Sequence, residues 1–401
     1  MSGALTTLSD FVGWNTDQSD QVSVVIMRGS KAWQITTWTS VVIRMGVEIM
    51  PWTAALSMTT QGSSPLSKVN ISEGDSCRLL IGETLVFTGY VQTVVEDIAP
   101  DHHTFEVQLA SKSVDLVECA AEFSTFQMSS TNALDIARRV CQFAQIDVIS
   151  IGGAGDTDIL AFAVILSETA YEVIERVSRL AAVIFYDRPD GNICMSAVGT
   201  RRASSGFTLG DNIERLQRVR SMAGRYSTVQ AIVMGEVTLF TTPGGSNAYA
   251  DQMEVLSAPA NAKASDPGVT RTRNMLVPLE IGDPNGTIAK QRVVWEVNRR
   301  YGRAYPITLT CDSWRDRAGN LWLPNTLARV DLGDGNPQDL LIGELTLRQT
   351  VDDGTHADVV LMDPQAYSPE PIINPLFQSA FMQAIQSNQP ARQSSDGSES
   401  I

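Results

Sequence analysis

Up to about residue 120, apolar and polar positions alternate in short runs. VSVVIMRGS (22–30), TSVVIRMGVEIM (39–50), AALSMTT (54–60), CRLLIGETLVFTGYVQTVVED (77–97) and HTFEVQLAS (103–111) are rich in Val, Ile, Thr and Phe. Clusters of Gly, Pro, Ser and Asp separate them, which predicts five or six strands in a small barrel or sandwich. From about 121 to 205 the period lengthens. Ala133, Leu134, Ile136, Ala137, Val140 and Cys141 recur at helical spacing, with Ser129, Ser130 or Thr131 as the expected cap. A second helix is predicted by Ala170, Val173, Ile174, Val177, Leu180 and Ala181, with Ser167 as N-cap. VIFYDRPDGNICMSAV then reads as strand, turn, strand, bending at Pro189-Asp190-Gly191.

The β pattern resumes from about 206. STVQAIVMGEVTLFTT is strand-like, and 244–273 carries little periodicity. A helix is predicted from Thr287 to Arg303, with Ile288, Val293, Val294 and Val297 in its stripe. Strands YPITLTCDSW, TLARVDLGD, DLLIGELTLRQTV and HADVVLMD close the region. The expected fold class is mainly β with α+β character. Two small β-barrel domains (1–120 and 206–367) flank an inserted α/β module (121–205), and a C-terminal extension (368–401) completes the chain. In that extension Pro369, Pro371 and Pro375 keep the start extended, and beyond Pro390 the composition is that of a disordered tail. Between them Leu376, Phe377, Phe381 and Ile385 share one face of a short helix. That face either docks on a partner or packs on its own domain, and these four are the candidate partner-docking residues.

The formal net charge of −15 argues against a nucleic-acid binder, which needs a basic footprint. No apolar run approaches the ~20 residues of a membrane span. The first residues lack a basic region followed by an apolar one, so the chain is expected to begin in the cytoplasm. Five cysteines (Cys77, Cys119, Cys141, Cys194, Cys311) lie far apart among apolar neighbours and read as buried thiols.

Motifs that could carry chemistry are few. His102 and His103 are adjacent in a polar turn and His356 lies in another, so all three read as solvated loop residues and not as metal ligands. GGAGDTD (152–158) lacks the Gly-Lys-Ser/Thr ending of a phosphate loop. DLGDGNPQD (331–339) has Gly333 where a calcium loop needs an acid, and Asp334-Gly335 reads as a hairpin turn. No Gly-x-Ser-x-Gly elbow occurs. The expectation is no catalytic residue, no cofactor and no metal. Trp33, Trp38 and Trp52 fall within strand patterns and are expected to pack in cores, not to bind glycans.

One pentapeptide occurs twice, Leu79–Glu83 and Leu340–Glu344. After the first copy a turn and another strand come before Gly89, whereas the second runs straight into the last hairpin. Setting Gly89 against Gly343 gives a better register, with a strand, a polar turn bearing His and a closing strand after each.

In order along the chain, WTSVVIRMGVEIMPWTAALSM, IGETLVFTGYVQTVV, LASKSVDLVECAAEF and SETAYEVIERVSRLAAVIFYDRPDGNICMS followed by LGDNIERLQRVRSMAGRYSTVQAIVMG resemble the baseplate hub proteins of Mu-like contractile-tail bacteriophages. LIGELTLRQTVDDGTHADVVLMDPQAY extends the likeness to about residue 367. Ala110 stands where that family usually has Gly, and Glu118 where it usually has Asp. The resemblance implies a structural protein and not an enzyme. It implies a homotrimer whose paired barrels adapt a sixfold tail tube to a threefold central spike, with wedge proteins as further partners. DNA and the tape-measure protein would pass without specific binding, and the virion tail baseplate would be assembled in the host cytoplasm. A type VI secretion-like spike component, or a cell-wall-degrading or glycan-binding tail-tip protein, is the alternative.

Overall fold

The computed structural model of the chain describes residues 6–7, 20–59, 71–99, 103–121, 127–233, 262–279 and 287–370. After a two-residue strand, Thr6–Thr7, that pairs parallel with Lys31–Ile35, seven longer strands follow: β1 (Val22–Arg28), β2 (Lys31–Ile35), β3 (Ser40–Gly46), β4 (Thr53–Thr59), β5 (Ser76–Ile81), β6 (Thr84–Ile98) and β7 (His103–Ser111). They pair antiparallel in the order β2-β1-β5-β6-β7-β4-β3. Alternation decides which face is inward. In β3, Val41, Ile43 and Met45 are buried while Arg44 is exposed; in β4, Ala54, Leu56 and Met58 are buried. Each such Leu, Ile or Met contributes about 1.5–3 kcal/mol by leaving water.

Gly89 in β6 lies against the backbone of β7, and a Cβ there would sit 1.8 Å from the Ala110 carbonyl oxygen. Backbone cannot step aside as a side-chain tip can. Gly89→Ala is therefore expected to lower stability by about 3 kcal/mol, at the upper end of overpacking costs. Chemical denaturation checks this, and an unchanged midpoint would refute it.

The next region begins with α1 (Val114–Glu118), β8 (Gln127–Asn132) and α2 (Ala133–Cys141). It continues with β9 (Val148–Ser150), β10 (Asp158–Ala163), α3 (Ala170–Leu180), β11 (Ile184–Asp187) and β12 (Ile193–Ser196). β9 and β12 run parallel, β12 and β11 antiparallel, and β8 pairs with β10. Ala133, Ile136 and Val140 of α2 join Ala170, Val173 and Val177 of α3 within a second core. Both helix caps differ from expectation. Asn132 caps α2, accepting from the Asp135 N–H at 2.8 Å, because the extended strand β8 runs through Asn132 and the helix starts only at Ala133. Thr169 caps α3 in a reciprocal box with Glu172, while Ser167 lies two residues earlier in a turn at φ 75°.

The longer of the remaining elements are β13 (Ile213–Arg218), β14 (Thr228–Val233), β15 (Lys263–Ser265), β16 (Asn274–Leu279), α4 (Thr287–Arg303), β17 (Ile307–Cys311), β18 (Thr326–Asp331), β19 (Gln338–Thr350) and β20 (Gly354–Met362). β14 lies between β15 and β16, and α4 buries Ala289 and Val293 against Val229, Ala231 and Val277. Val294, expected in the buried stripe, is 49 % exposed, and Ala289 takes its place.

β19 joins the two β regions. Its first half, up to Ile342, pairs with β18; its second half, from Glu344, pairs with β3; and its other edge pairs with β20. The change of partner falls on Gly343, at a bulge whose carbonyl accepts from the Val47 N–H at 2.9 Å. A Cβ at Gly343 would strike the Tyr367 ring, so the residue must be glycine. β19 continues the path of strands through β20, β17 and β13, and one core runs from Val24 and Ile43 through Leu345 to Leu309 and Val359. The mainly β class expected from the sequence holds. Among the described residues no sheet closes into a barrel, because β3 spends its second edge on β19, so closed barrels are not established by the pairing.

The two copies of the pentapeptide differ structurally. Leu79–Glu83 ends β5 and enters the turn to β6, whereas Leu340–Glu344 lies inside β19. Gly89 and Gly343 instead occupy the long strands of two hairpins, β6–β7 and β19–β20.

Candidate assembly surface

Two buried polar side chains tie the stretch 187–199 to strands on either side of it. β11 ends on Asp187, 3 % exposed. One of its oxygens, Oδ2, accepts from Ser111 Oγ at 2.7 Å, Ser113 Oγ at 2.9 Å and the Trp52 N–H at 2.9 Å. Those donors stand at the end of β7, before α1 and before β4, so one carboxyl ties three segments. Burial raises its pKa above the ordinary carboxylate value, against the lowering effect of the donors. On the other side, Asn325 Nδ2 donates to Ser196 Oγ at 3.1 Å and to the Ala197 carbonyl at 3.2 Å. Its Oδ1 accepts from the Gly199 N–H at 2.7 Å, and its own N–H donates to Ile342 O in β19. Asn325 takes the left-handed conformation at φ 57°, which an asparagine tolerates better than a branched residue.

α4 carries a row of cations that grips the chain near the end of the described residues. Arg303 Nε donates to Ala366 O at 3.0 Å. Arg299 Nη1 and Trp295 Nε1 both donate to Ser368 O, at 2.9 and 2.8 Å. Arg292 pairs with Glu370. Arg299 and Arg303 also reach Glu48, which lies just beyond β3. Burial lowers the pKa of Arg292 and Arg299 below the ordinary guanidinium value, though both remain cations at any physiological pH. Beside this row lies an apolar groove of about 420 Å³ along Lys290, Gln291, Val294, Trp295 and Asn298, walled by Gln365 and Ser368. On the face of α4 toward β14, Arg225 makes a bidentate pair with Asp266 at 2.8 Å, its side chain 1 % exposed. Its guanidinium also reaches Tyr305 Oη and lies over the Tyr301 and Tyr305 rings. The bond from Arg225 holds the Asp266 carboxyl below its ordinary pKa.

The candidate docking residues Leu376, Phe377, Phe381 and Ile385 lie outside the described residues, as does His102. His103 and His356 are strand residues, not loop residues. His103 faces Glu96 at 3.2 Å and His356 Nδ1 faces Glu214 at 2.7 Å. No group of three or more His, Cys, Asp or Glu that could hold a metal ion occurs among the described residues. Trp38 and Trp52 are buried in the shared core, and Trp33 packs against it with Arg28 over its ring. Four cysteines are buried as expected, but Cys119 is exposed, since it ends the short α1 where the chain turns outward. Surface apolar residues that periodicity does not single out are Val95 and Ile98 on the β6–β7 hairpin, and Ile165 and Leu166 before α3, Leu166 being 80 % exposed. In the letters, Ile165 and Leu166 are the end of the apolar run 159–166.

Family comparisons run in the same order along the chain. Residues 23–109 match the Mu phage baseplate assembly protein GpP-like N-terminal domain, and 113–197 the second domain of baseplate hub protein gp44-like chains. Residues 285–370 match the fourth domain of Mu phage baseplate assembly protein GpP. The baseplate hub protein gp44 of Escherichia phage Mu is 27 % identical over 341 residues, covering 83 % of this chain and 86 % of that protein. Among solved structures, the 43 kDa tail protein of prophage MuSo2 from Shewanella oneidensis matches with a TM-score of 0.72 at 23 % identity, covering 88 % of this chain and 100 % of that one. A tail protein from Neisseria meningitidis MC58 gives 0.68 at 16 % identity, covering 88 % and 99 %. The E. coli c3393 protein, a component of the type VI secretion system, gives 0.51 at 11 % identity, covering 84 % and 76 %, which is a likeness of fold. With three baseplate domain models matched in order and the Mu protein aligned across most of both chains, this chain is similar to the baseplate hub proteins of Mu-like phage tails.

Proposed function

We propose that three copies of this chain form the ring at the centre of a contractile-tail baseplate. The ring adapts a sixfold tail tube to a threefold central spike and meets wedge proteins at its periphery. The observation that carries this reading is the seam at β19, which holds two β regions together in each chain. Two such regions become six in a trimer, the number a sixfold tube presents. The charge of −15 suits a passage for DNA and the tape-measure protein, because acidic walls give polyanions nothing to bind. In this reading the chain performs no catalytic step and is assembled into the virion tail in the host cytoplasm.

Mass in solution and an electron-microscopy map of the assembled tail tip test it together. A trimer in solution and six β regions around the axis are the expected results. A chain that stays monomeric and fails to enter tails would overturn the proposal. Entry into a secretion spike in place of a phage tail would favour the type VI reading, for which the shared fold with c3393 is the supporting likeness.

A further inference from the structure

We propose that the apolar groove on α4 is filled by the C-terminal segment of the same chain, residues 371–385. In this arrangement Leu376, Phe377, Phe381 and Ile385 seat along Val294. The direction of the chain as it leaves the described region carries the inference. Arg303 holds Ala366, Arg299 and Trp295 hold Ser368, and Arg292 holds Glu370, so the chain runs along α4 toward the helix N-terminus. The groove lies immediately beside that track, and Trp295 and Ser368 belong to both.

Lengths agree with a reversal. Residues 371–375, bounded by Pro371 and Pro375, span at most about 17 Å when extended, enough to pass the start of α4. A returning helix over 376–385 would be about 15 Å long, and the groove from Lys290 to Asn298 is about 12 Å at the helical rise. The chemistry agrees as well. Val294 is 49 % exposed at the groove, and the segment offers four large apolar residues at helical spacing. The short tether gives the segment an effective concentration on the order of millimolar at the groove, which favours its own chain over another.

The test uses the full chain carrying Cys119→Ser, which removes the exposed native thiol. Val294→Cys is paired in turn with Leu376→Cys, Phe377→Cys, Phe381→Cys or Ile385→Cys and mildly oxidised. The expected result is a disulfide within one chain for at least one pair, with a yield that does not fall on dilution. A disulfide formed only between chains would overturn the proposal and assign the groove to a neighbouring copy. Failure of all four pairs would overturn it too, leaving the groove to a different protein. A second measurement tracks chymotrypsin cleavage after Phe377 and Phe381. Val294→Glu, at an exposed position, is expected to accelerate that cleavage, and an unchanged rate would refute the docking. Both readouts are made on the isolated chain, so they stand apart from its place in the tail.

Discussion

Asp187→Ala is expected to lower stability by about 3 kcal/mol or more, while Asp187→Asn stays within about 1 kcal/mol of the parent. The difference comes from the oxygen that does the accepting. Ser111 Oγ, Ser113 Oγ and the Trp52 N–H all converge on Oδ2. Alanine leaves three buried donors competing for one another, whereas an asparagine carbonyl placed there accepts all three. Unfolding in denaturant at neutral pH measures both. Equal losses for the two variants would show that the carboxyl, and not the acceptor, matters. The pH dependence gives an independent check. Because burial raises the folded-state pKa, the folded chain keeps the Asp187 proton after the unfolded chain has released it. Its contribution is therefore complete below the unfolded value of ~3.9 and declines as pH rises through the raised one. Asp187→Asn is expected to remove that decline.

Arg225→Ala is expected to cost about 3–5 kcal/mol, since it strands the Asp266 carboxylate in a dry site. Here the pH effect has the opposite sign. The Asp266 pKa is lowered by Arg225, so the pair stabilises above the unfolded carboxylate value and the contribution is lost as pH falls through the lowered one. The loss should be local to α4, β14 and the residues around Tyr301 and Tyr305, which the guanidinium stacks against. Hydrogen exchange resolved by segment checks this. A uniform rise in exchange across β1–β7 as well would contradict a local anchor.

Legibility in the sequence depends on what kind of force decides each feature. The helix near 287–303 is readable because apolar periodicity governs it, although Ala289 and not Val294 lies in its buried stripe. The strand-turn-strand over Ile184–Ser196 is readable because Pro189-Asp190-Gly191 leaves little else for the backbone to do. The cap at Thr169 is also present in the letters, as Thr with Glu three residues later, but Ser167 competes with it as a capping residue. The pairing of β3 with β19 is not legible, since alternation reports which face is buried and not which strand lies alongside. The same limit hides Asp187, Asn325 and Arg225. Each is a polar residue whose partners are distant in sequence, at Ser111, Ser196 and Asp266 for example, and composition alone reads such residues as solvated.

The seam at β19 also sets a timetable for synthesis. Arg44 of β3 pairs with Thr346 of β19, so one edge of β3 waits roughly 300 residues for its neighbour. At ~5–20 residues per second the ribosome takes ~15–60 s to supply it. Through that interval the nascent N-terminal strands present an unfilled backbone edge in a cell making many copies at once. A chain cut short before residue 338 would keep that edge permanently open, and its fate would be strand-to-strand association with its siblings in place of entry into a tail.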